Sequence, residues 1–549
     1  MTLLLALVSA ALPGSGSDHG GPAPFHAFAA VNDVLSHGQV GDNFLSLNEA
    51  IQLHNNTLTA AQLSPAEQAQ IALIPGTGTS TFLSWVRFDA SSTPVITIER
   101  DLDVIVDTSY GLYLSSDNGE TVLDFTGAGI TRGMTSTSNS LQMRDLVFSG
   151  GPTGVDVVQT DIAGQIGLAL SHCTFVNQAQ FGVRIASITP NGFGKFYADA
   201  CTFTNCGSGV LWDEPVAGRT SFFDLHDCRM TGLLGMGVVL GIGPGGGGLG
   251  RYTIERVDIE AGSYGIWLSR SFGGTRPAQL LFRHLRVRAA TGVDIDCSAG
   301  GQTTLQMQML DLRGTAGNGA LLLGQTGDLL GGVIEDSTFD GGVRIAGTGS
   351  LAVNNLRVGN ASCALDAGTG AARTYTDCRF NSCTITVGGQ TTMNFVDCSF
   401  AGSTVGGSAG SPVVCTDSFV PTPWFYTTVL TPRPQEQLGS MHVLPDHPAI
   451  GTPVVLQADL PSGLFGAFLI GFTELYPQLL PQPLHVYGQL AATWLAPGIY
   501  TGQQSMVWMI PNAPIYRGLD FVGQIAVLPN TGVSALPVQL PPGRRFKLL

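Results

Sequence analysis

The chain has 549 residues, of which 73 are glycine and only 12% are charged, and its formal net charge is −15. That length points to two or three domains. With only 25 Lys+Arg it speaks against a nucleic-acid partner, because phosphate binding needs a basic face; the acidic balance favours solubility, with Ca2+ on the surface as the alternative.

Residues 2–12 run Thr-Leu-Leu-Leu-Ala-Leu-Val-Ser-Ala-Ala-Leu, and Pro-Gly-Ser-Gly-Ser follows. An apolar core, small residues and a breaker are the pattern of a secretory signal peptide, with Val8-Ser9-Ala10 as the candidate cleavage site. Residues 1–20 are therefore expected to be leader and linker, and the protein to be secreted or displayed at the cell surface. One part of the pattern is missing, since no Lys or Arg precedes the core and the first is Arg87. No later stretch is long and apolar enough to span a bilayer.

Residues 21–93 have the marks of a cap with short helices. Ser46-Leu47-Asn48-Glu49 is a capping box, and Leu47, Ala50, Ile51 and His54 follow on one helical face. Ser64-Pro65-Ala66-Glu67 is a second box with proline at the first helical position, and Ile71 and Ile74 lie behind it. Val95-Ile96-Thr97-Ile98, Leu102-Asp103-Val104-Ile105-Val106 and Val122-Leu123-Asp124-Phe125 then read as short strands.

From about 141 to 400 one phrase recurs. Its clearest copies are His172-Cys173-Thr174-Phe175, Ala200-Cys201-Thr202-Phe203, Asp227-Cys228-Arg229-Met230, Asp336-Ser337-Thr338-Phe339, Asp377-Cys378-Arg379-Phe380 and Asp397-Cys398-Ser399-Phe400. With the degenerate copies, its last position falls at 148, 175, 203, 230, 259, 287, 312, 339, 358, 380 and 400. A repeat of this length is the signature of a solenoid. A second phrase follows each first one: Gly154-Val155-Asp156-Val157, Gly182-Val183-Arg184-Ile185, Gly265-Ile266-Trp267-Leu268, Gly292-Val293-Asp294-Ile295 and Gly342-Val343-Arg344-Ile345 are examples. Strict alternation means a strand with one buried face. The period leaves no room for a helix, so short strands joined by glycine-rich corners should wind an all-β, single-stranded parallel β-helix of about eleven coils over 94–405. The Cys and Phe of the phrase should point inward and stack on the next coil, and the helical cap should cover the open edge of the first coil.

On these repeats the chain resembles the right-handed parallel β-helix proteins of the pectin-lyase-like group. The stretch Gly41-Asp42-Asn43-Phe44-Leu45-Ser46-Leu47-Asn48-Glu49-Ala50-Ile51 is also similar to the Ser-Leu-Arg-Glu-Ala-Ile opening of many secreted bacterial β-helices, with Asn48 in place of the usual Arg. The resemblance covers about half the chain and implies the fold, whereas that fold carries lyases, hydrolases, adhesins and inert stalks.

After Phe400 the period ends, and a Pro/Gly-rich linker is expected over 406–440. Residues 441–549 hold no cysteine and several short strands, among them Pro453-Val454-Val455-Leu456 and Phe521-Val522-Gly523-Gln524-Ile525-Ala526-Val527-Leu528. An antiparallel β-sandwich is expected there. It looks like the small C-terminal modules of secreted bacterial proteins, for which attachment, carbohydrate contact or sorting are the roles implied.

The chain has ten cysteines. Cys173, Cys201 and Cys228 share one repeat position, Cys378 and Cys398 share it later, and Cys363 and Cys383 align in the Gly-Val strand. A ladder of buried thiols is the expectation, and disulfides between neighbouring coils are the rival. The polar residues before the Cys position, such as Asp145, His172, Asp227 and Arg256, read as a solvated corner.

The resemblance places catalytic and carbohydrate-binding groups on the outer face of such a sheet. Alternation puts Asp156, Arg184, Leu211, Val239, Trp267, Asp294 and Leu321 in one outer column, and Val158, Ala186, Asp213, Ser269 and Asp296 in the next. Asp294 and Asp296 then lie about 6.6 Å apart along the strand. They are the candidate catalytic pair, suited to inverting glycoside hydrolysis or, in a lyase, to ligating Ca2+. Trp267 offers a flat surface to a sugar ring, and Asp213, Arg184 and Arg270 are the other candidate substrate contacts. Two such carboxylates repel, so one should titrate high unless a cation compensates, and Arg270 is the nearest base by repeat position. Arg184 and Arg344 are expected several coils from Asp294. The polygalacturonase pattern is absent, with no Asn-Thr-Asp and no Arg-Ile-Lys. Three functions compete: a secreted or surface β-helix that binds a polysaccharide or surface partner without catalysis, a polysaccharide lyase or glycoside hydrolase, and a structural stalk or homo-oligomeric assembly subunit, which the apolar Leu211 and Val239 would serve.

Overall fold

The architecture is that of a computed structural model. It describes residues 27–73, 83–106, 111–137, 140–159, 165–187, 192–214, 219–242, 249–270, 277–296, 302–315, 319–324, 330–359, 361–366, 373–388, 392–400, 403–407, 413–416, 418, 427–429, 440–444, 451–473, 487–495, 500–510, 520–528 and 544–547. The leader-like residues 1–20 and the prolines of the expected linker lie outside the described residues.

Among the described residues the chain is all-β with few helices, and its body is a parallel β-solenoid. The Gly-Val strands stack into one sheet of 12 strands, from Met134–Ser136 to Thr404–Gly407. The strands carrying the Cys-x-Phe phrase stack into the other. Val155, Val183, Val210, Val238, Ile266 and Val293 are successive partners up the first sheet, and all are buried. Phe148, Phe175 and Phe203 are partners up the second, with ring centroids 5.0 and 4.9 Å apart. That separation is the spacing of adjacent strands, so the rings stack because the backbone ladder sets their distance.

The solenoid has about eight turns, fewer than the eleven expected. The long steps of 25 to 29 residues end at Phe339, and the later copies are only 19 to 22 residues apart, so the rungs beyond it are shorter. The parallel ladder also reaches beyond 94–405. Ala27–Val31 pairs with Leu83–Asp89, which pairs with Leu112–Asp117, and Val413–Thr416 and Thr427–Val429 continue it into the expected linker.

The polar residue before each Cys position is a left-handed corner. Asp145, His172, Asp227, Arg256, His284, Asp336, Asn355, Asp377 and Asp397 have φ between +47° and +57°. Asp, Asn and His tolerate this conformation better than most residues, because their side chains can bond the local backbone, which accounts for their choice at this position.

The helix Leu47–His54 and the short helix Pro65–Gln68 both start with complete capping boxes. Leu47, Ala50, Ile51 and His54 are buried. On the side facing the strand edge, Asn48 and Gln52 both donate to Asp103 Oδ2. Asn55 donates to Val104 O at 2.8 Å and accepts from Val106 N at 3.0 Å. One side-chain amide thus satisfies both polar groups of an edge segment, which would otherwise invite another strand.

Nine cysteines are free and buried among the described residues, and Cys297 lies outside them. Cys363 pairs with Ile385, not with Cys383, which precedes its strand. The expected alignment of those two cysteines is therefore off by two residues. Beyond 440 the pairing becomes antiparallel: Pro453–Thr473 pairs with Ser440–Leu444, Tyr487–Leu495, Tyr500–Met509 and Asp520–Leu528. No helix among the described residues is long and apolar enough to cross a membrane.

Candidate functional site

The outer face of the Gly-Val sheet follows from alternation. Val293 and Ile295 are buried, so Asp294 between them faces out, half-buried. The same holds for Trp267 between the buried Ile266 and Leu268. Register then makes one column of direct partners: Asp156, Arg184, Leu211, Val239, Trp267, Asp294, Leu322 and Arg344.

Leu322, not Leu321, belongs to this column; Leu321 is fully buried. The register shifts between Gly319 and Leu321, so Ala320 is an extra residue that moves every later side chain in the strand to the opposite face from the one counted. The same register brings Arg344 to two rungs from Asp294, nearer than the several coils expected.

Two groups of charge result. In the first, Arg184 Nη1 lies 3.4 Å from Asp156 Oδ2. Burial raises the Asp156 carboxyl above its ordinary range, and Arg184 opposes the rise. Burial also raises Asp213, again against Arg184 and with Glu214 adding to it. Asp213 pairs with Ala186 and Gly241 on the flanking strands, so it sits in the second column.

In the second group, Trp267 and Asp294 are direct partners on adjacent strands. The Tyr264 ring is 6.0 Å from that of Trp267. Burial is the largest cause of the raised Asp294 pKa; Arg344 opposes it and Asp296 adds to it. The raised carboxyl thus has the expected direction, but desolvation exceeds the mutual repulsion from which it was argued. Arg344 is the compensating base. The Arg270 backbone pairs with Ile242, in the register of inward positions, and its side chain lies outside the described residues.

The structure therefore brings Trp267, Asp294 and Asp296 together, sets Arg184 and Asp213 apart as a second group, and adds Arg344 and Tyr264. The Gly-Val-Arg motif at 342–344 was the available signal for Arg344, and the bulge at Ala320 hid its register. Asp294 and Asp296 sit side by side on one strand. The next carboxylate along the second column, Asp213, is three rungs from Asp296 through Gly241 and Ser269, about 14 Å at the usual strand spacing. The arrangement can stack a sugar ring on an indole and accept hydroxyl protons on carboxylates. Among the described residues no group of three or more His, Cys, Asp or Glu side chains could hold a metal ion.

Compared with known protein families, curated proteins and solved structures, the chain matches none.

Proposed function

We propose that the protein binds carbohydrate on the outer face of the Gly-Val sheet and does no chemistry on it. The observation that carries this reading is the pairing of Trp267 with Asp294 on adjacent strands: an aromatic face beside a hydrogen-bond acceptor is what a sugar ring needs. Glycoside hydrolysis needs two carboxyl groups flanking one bond, about 5–9.5 Å apart. Asp294 and Asp296 have about that separation along the strand, so catalysis by this pair is the rival reading, and Asp213 is farther away than that. The same reading takes the winding as right-handed, the C-terminal antiparallel strands as a sandwich module that attaches the protein to a surface, and the place of action as outside the cell, in line with the apolar residues 2–12.

The test is a panel of polysaccharides, scored with the full chain both for binding and for new reducing or unsaturated ends. Binding without new ends is expected. Turnover that is lost in Asp294→Asn would replace this reading with a lyase or hydrolase acting on the same face.

A further inference from the structure

The N-terminal cap gathers acid where the chain has almost no base. Arg87 and Arg100 are the only Lys or Arg residues before Arg132, and Arg87 is taken by Asp117. Five carboxylates stand in the cap and the segments it touches: Asp33, Asp42, Glu49, Glu67 and Glu99. None of them forms an ion pair among the described residues.

Two of the five are buried in the cap itself. Glu49 and Glu67 are the third residues of its two helices and are 3% and 0% exposed. Each closes its capping box, but their surroundings differ. Both Glu67 oxygens accept from Gly41 N–H, at 3.0 and 3.1 Å, and Oε2 accepts from Ser64 N–H as well. Glu49 Oε2 accepts from the N–H and the hydroxyl of Ser46, while Glu49 Oε1 is buried with no hydrogen-bond partner. An ionised carboxylate so placed leaves part of its charge unsolvated, which is costly.

The loop beside it adds like charge. A Cβ on Gly38 would lie 2.7 Å from Asp33 Oδ2, 3.3 Å from Asp42 Oδ2 and 3.3 Å from Ser46 Cβ. The two aspartates therefore meet over a bare glycine, against the residue that holds the Glu49 carboxylate. Burial raises Glu49 above its ordinary range, the Ser46 hydrogen bonds oppose the rise, and Glu67 and Asp42 add to it. Burial likewise raises Asp33, with the Leu35 N–H opposing and Asp42 and Glu99 adding to it. Of the histidines, His37 faces Glu99 and Asp103, while burial and Arg100 hold its pKa down, and His54 Nδ1 lies 2.7 Å from Leu83 O.

The helix that carries Glu49 also grips the edge of the solenoid. Asn48 and Gln52 donate to Asp103 Oδ2, Asn48 Oδ1 accepts from Asp103 N–H at 2.8 Å, and Asn55, the C-cap of the same helix, accepts from Val106 N–H. Whatever loosens this helix therefore loosens the edge segment 102–106.

We propose that the cap is a pH-sensitive clasp on the open edge of the solenoid, closed while Glu49 is protonated and loosened when it ionises beside Glu67 and Asp42. By linkage, a carboxyl that holds its proton more tightly in the folded cap contributes stability that is fully present below its unfolded pKa and is lost as pH rises through the folded value. The clasp thus tightens in mild acid and yields toward neutral pH. The device is independent of the carbohydrate reading.

The test is amide hydrogen exchange of the full chain at pH 4 and pH 7.5, read as protection factors at Asp103 and Val106. The Thr202 N–H, bonded to Cys173 O on an inner rung, is the control. Between the two pH values, protection at the edge amides should fall at least threefold more than at the control. Glu49→Gln keeps an acceptor at the third helical position and removes the charge, so it should raise edge protection at pH 7.5 and remove most of the fall. A parent protein with no such fall would overturn the proposal. A fall that persists in full in Glu49→Gln would overturn it as well, and would assign the response to Asp33 or His37. So would a variant less protected than the parent at pH 7.5, since the ionised carboxylate would then be what holds the cap.

Discussion

Gly182 faces the ring of Phe203, one coil further on: a Cβ on Gly182 would lie 2.5 Å from Phe203 Cδ1. Gly154 stands in the same relation to Phe175, at 2.6 Å. The two recurring phrases are therefore parts of one packing unit, in which the glycine that opens each Gly-Val strand clears the space for the next coil's phenylalanine. Gly182→Ala should cost about 1–3 kcal/mol by overpacking, and Phe203→Ala about 3–5 kcal/mol by leaving a cavity. In denaturant titrations, Gly182→Ala combined with Phe203→Leu should cost less than the sum of the two single changes, because the smaller side chain gives the new methyl room. Strict additivity would mean that the two residues do not share this space.

Ala200 occupies the left-handed corner at φ +53°, where most other rungs place Asp, Asn or His. An alanine there is strained by about 1–2 kcal/mol. Ala200→Gly or Ala200→Asn should raise stability by up to about 1 kcal/mol, since part of the relief with glycine is offset by unfolded-state entropy. Asp227→Val, at φ +52°, should lower it. Shifts in the denaturation midpoint report both.

At the N-terminal edge, Asn55 serves the C=O of Val104 and the N–H of Val106 together. Asn55→Leu leaves both groups without that partner and should cost about 1–3 kcal/mol. Amide hydrogen exchange at Val106 should quicken before that of the inner rungs, because the loss is local to the edge.

The thiols should be inert in the folded protein chiefly because they are buried, Cys383 included: a hydrogen bond with Cys363 lowers its thiol to about 7, but only 2% of the residue is exposed. Burial pushes those of Cys173 and Cys398 well up and that of Cys415 up to about 12, so little thiolate forms at mildly alkaline pH. A thiol reagent should react slowly with native protein and quickly once it is unfolded, without added reductant. A deficit of free thiols after unfolding would instead reveal disulfides.

Asp294 should make stability depend on pH in a defined direction. Its folded pKa is raised, chiefly by burial, so the native state holds the proton more tightly than the unfolded chain does. Below the unfolded pKa both states are protonated and nothing is lost. As pH rises through the folded value, stability falls, and it stays lowered at neutral pH. Asp294→Asn removes the charge that burial penalises, so its stability relative to the parent should be higher at pH 7 than at pH 3. An advantage that shrinks as pH rises would mean that the attraction of Arg344 outweighs desolvation.

What the residues alone determined was everything carried by the period. Alternation of two in the Gly-Val strands and a recurring Cys-x-Phe phrase require a buried face and a stacked core, because side-chain direction in a strand is a local property of the backbone. The capping boxes at Ser46 and Ser64 were legible for the same reason, each being a hydrogen-bond pattern closed within four residues. The pairing of Trp267 with Asp294 also followed, since their two phrases are intact copies one period apart. Lateral register decided the rest. The extra residue Ala320 turns Leu321 inward and Leu322 outward, so that Leu322 stands between Asp294 and Arg344 in the outer column; a single inserted residue is invisible to a period that already varies by several. Tertiary structure likewise decided which of two causes raises Asp294, because desolvation depends on what the neighbouring rungs cover.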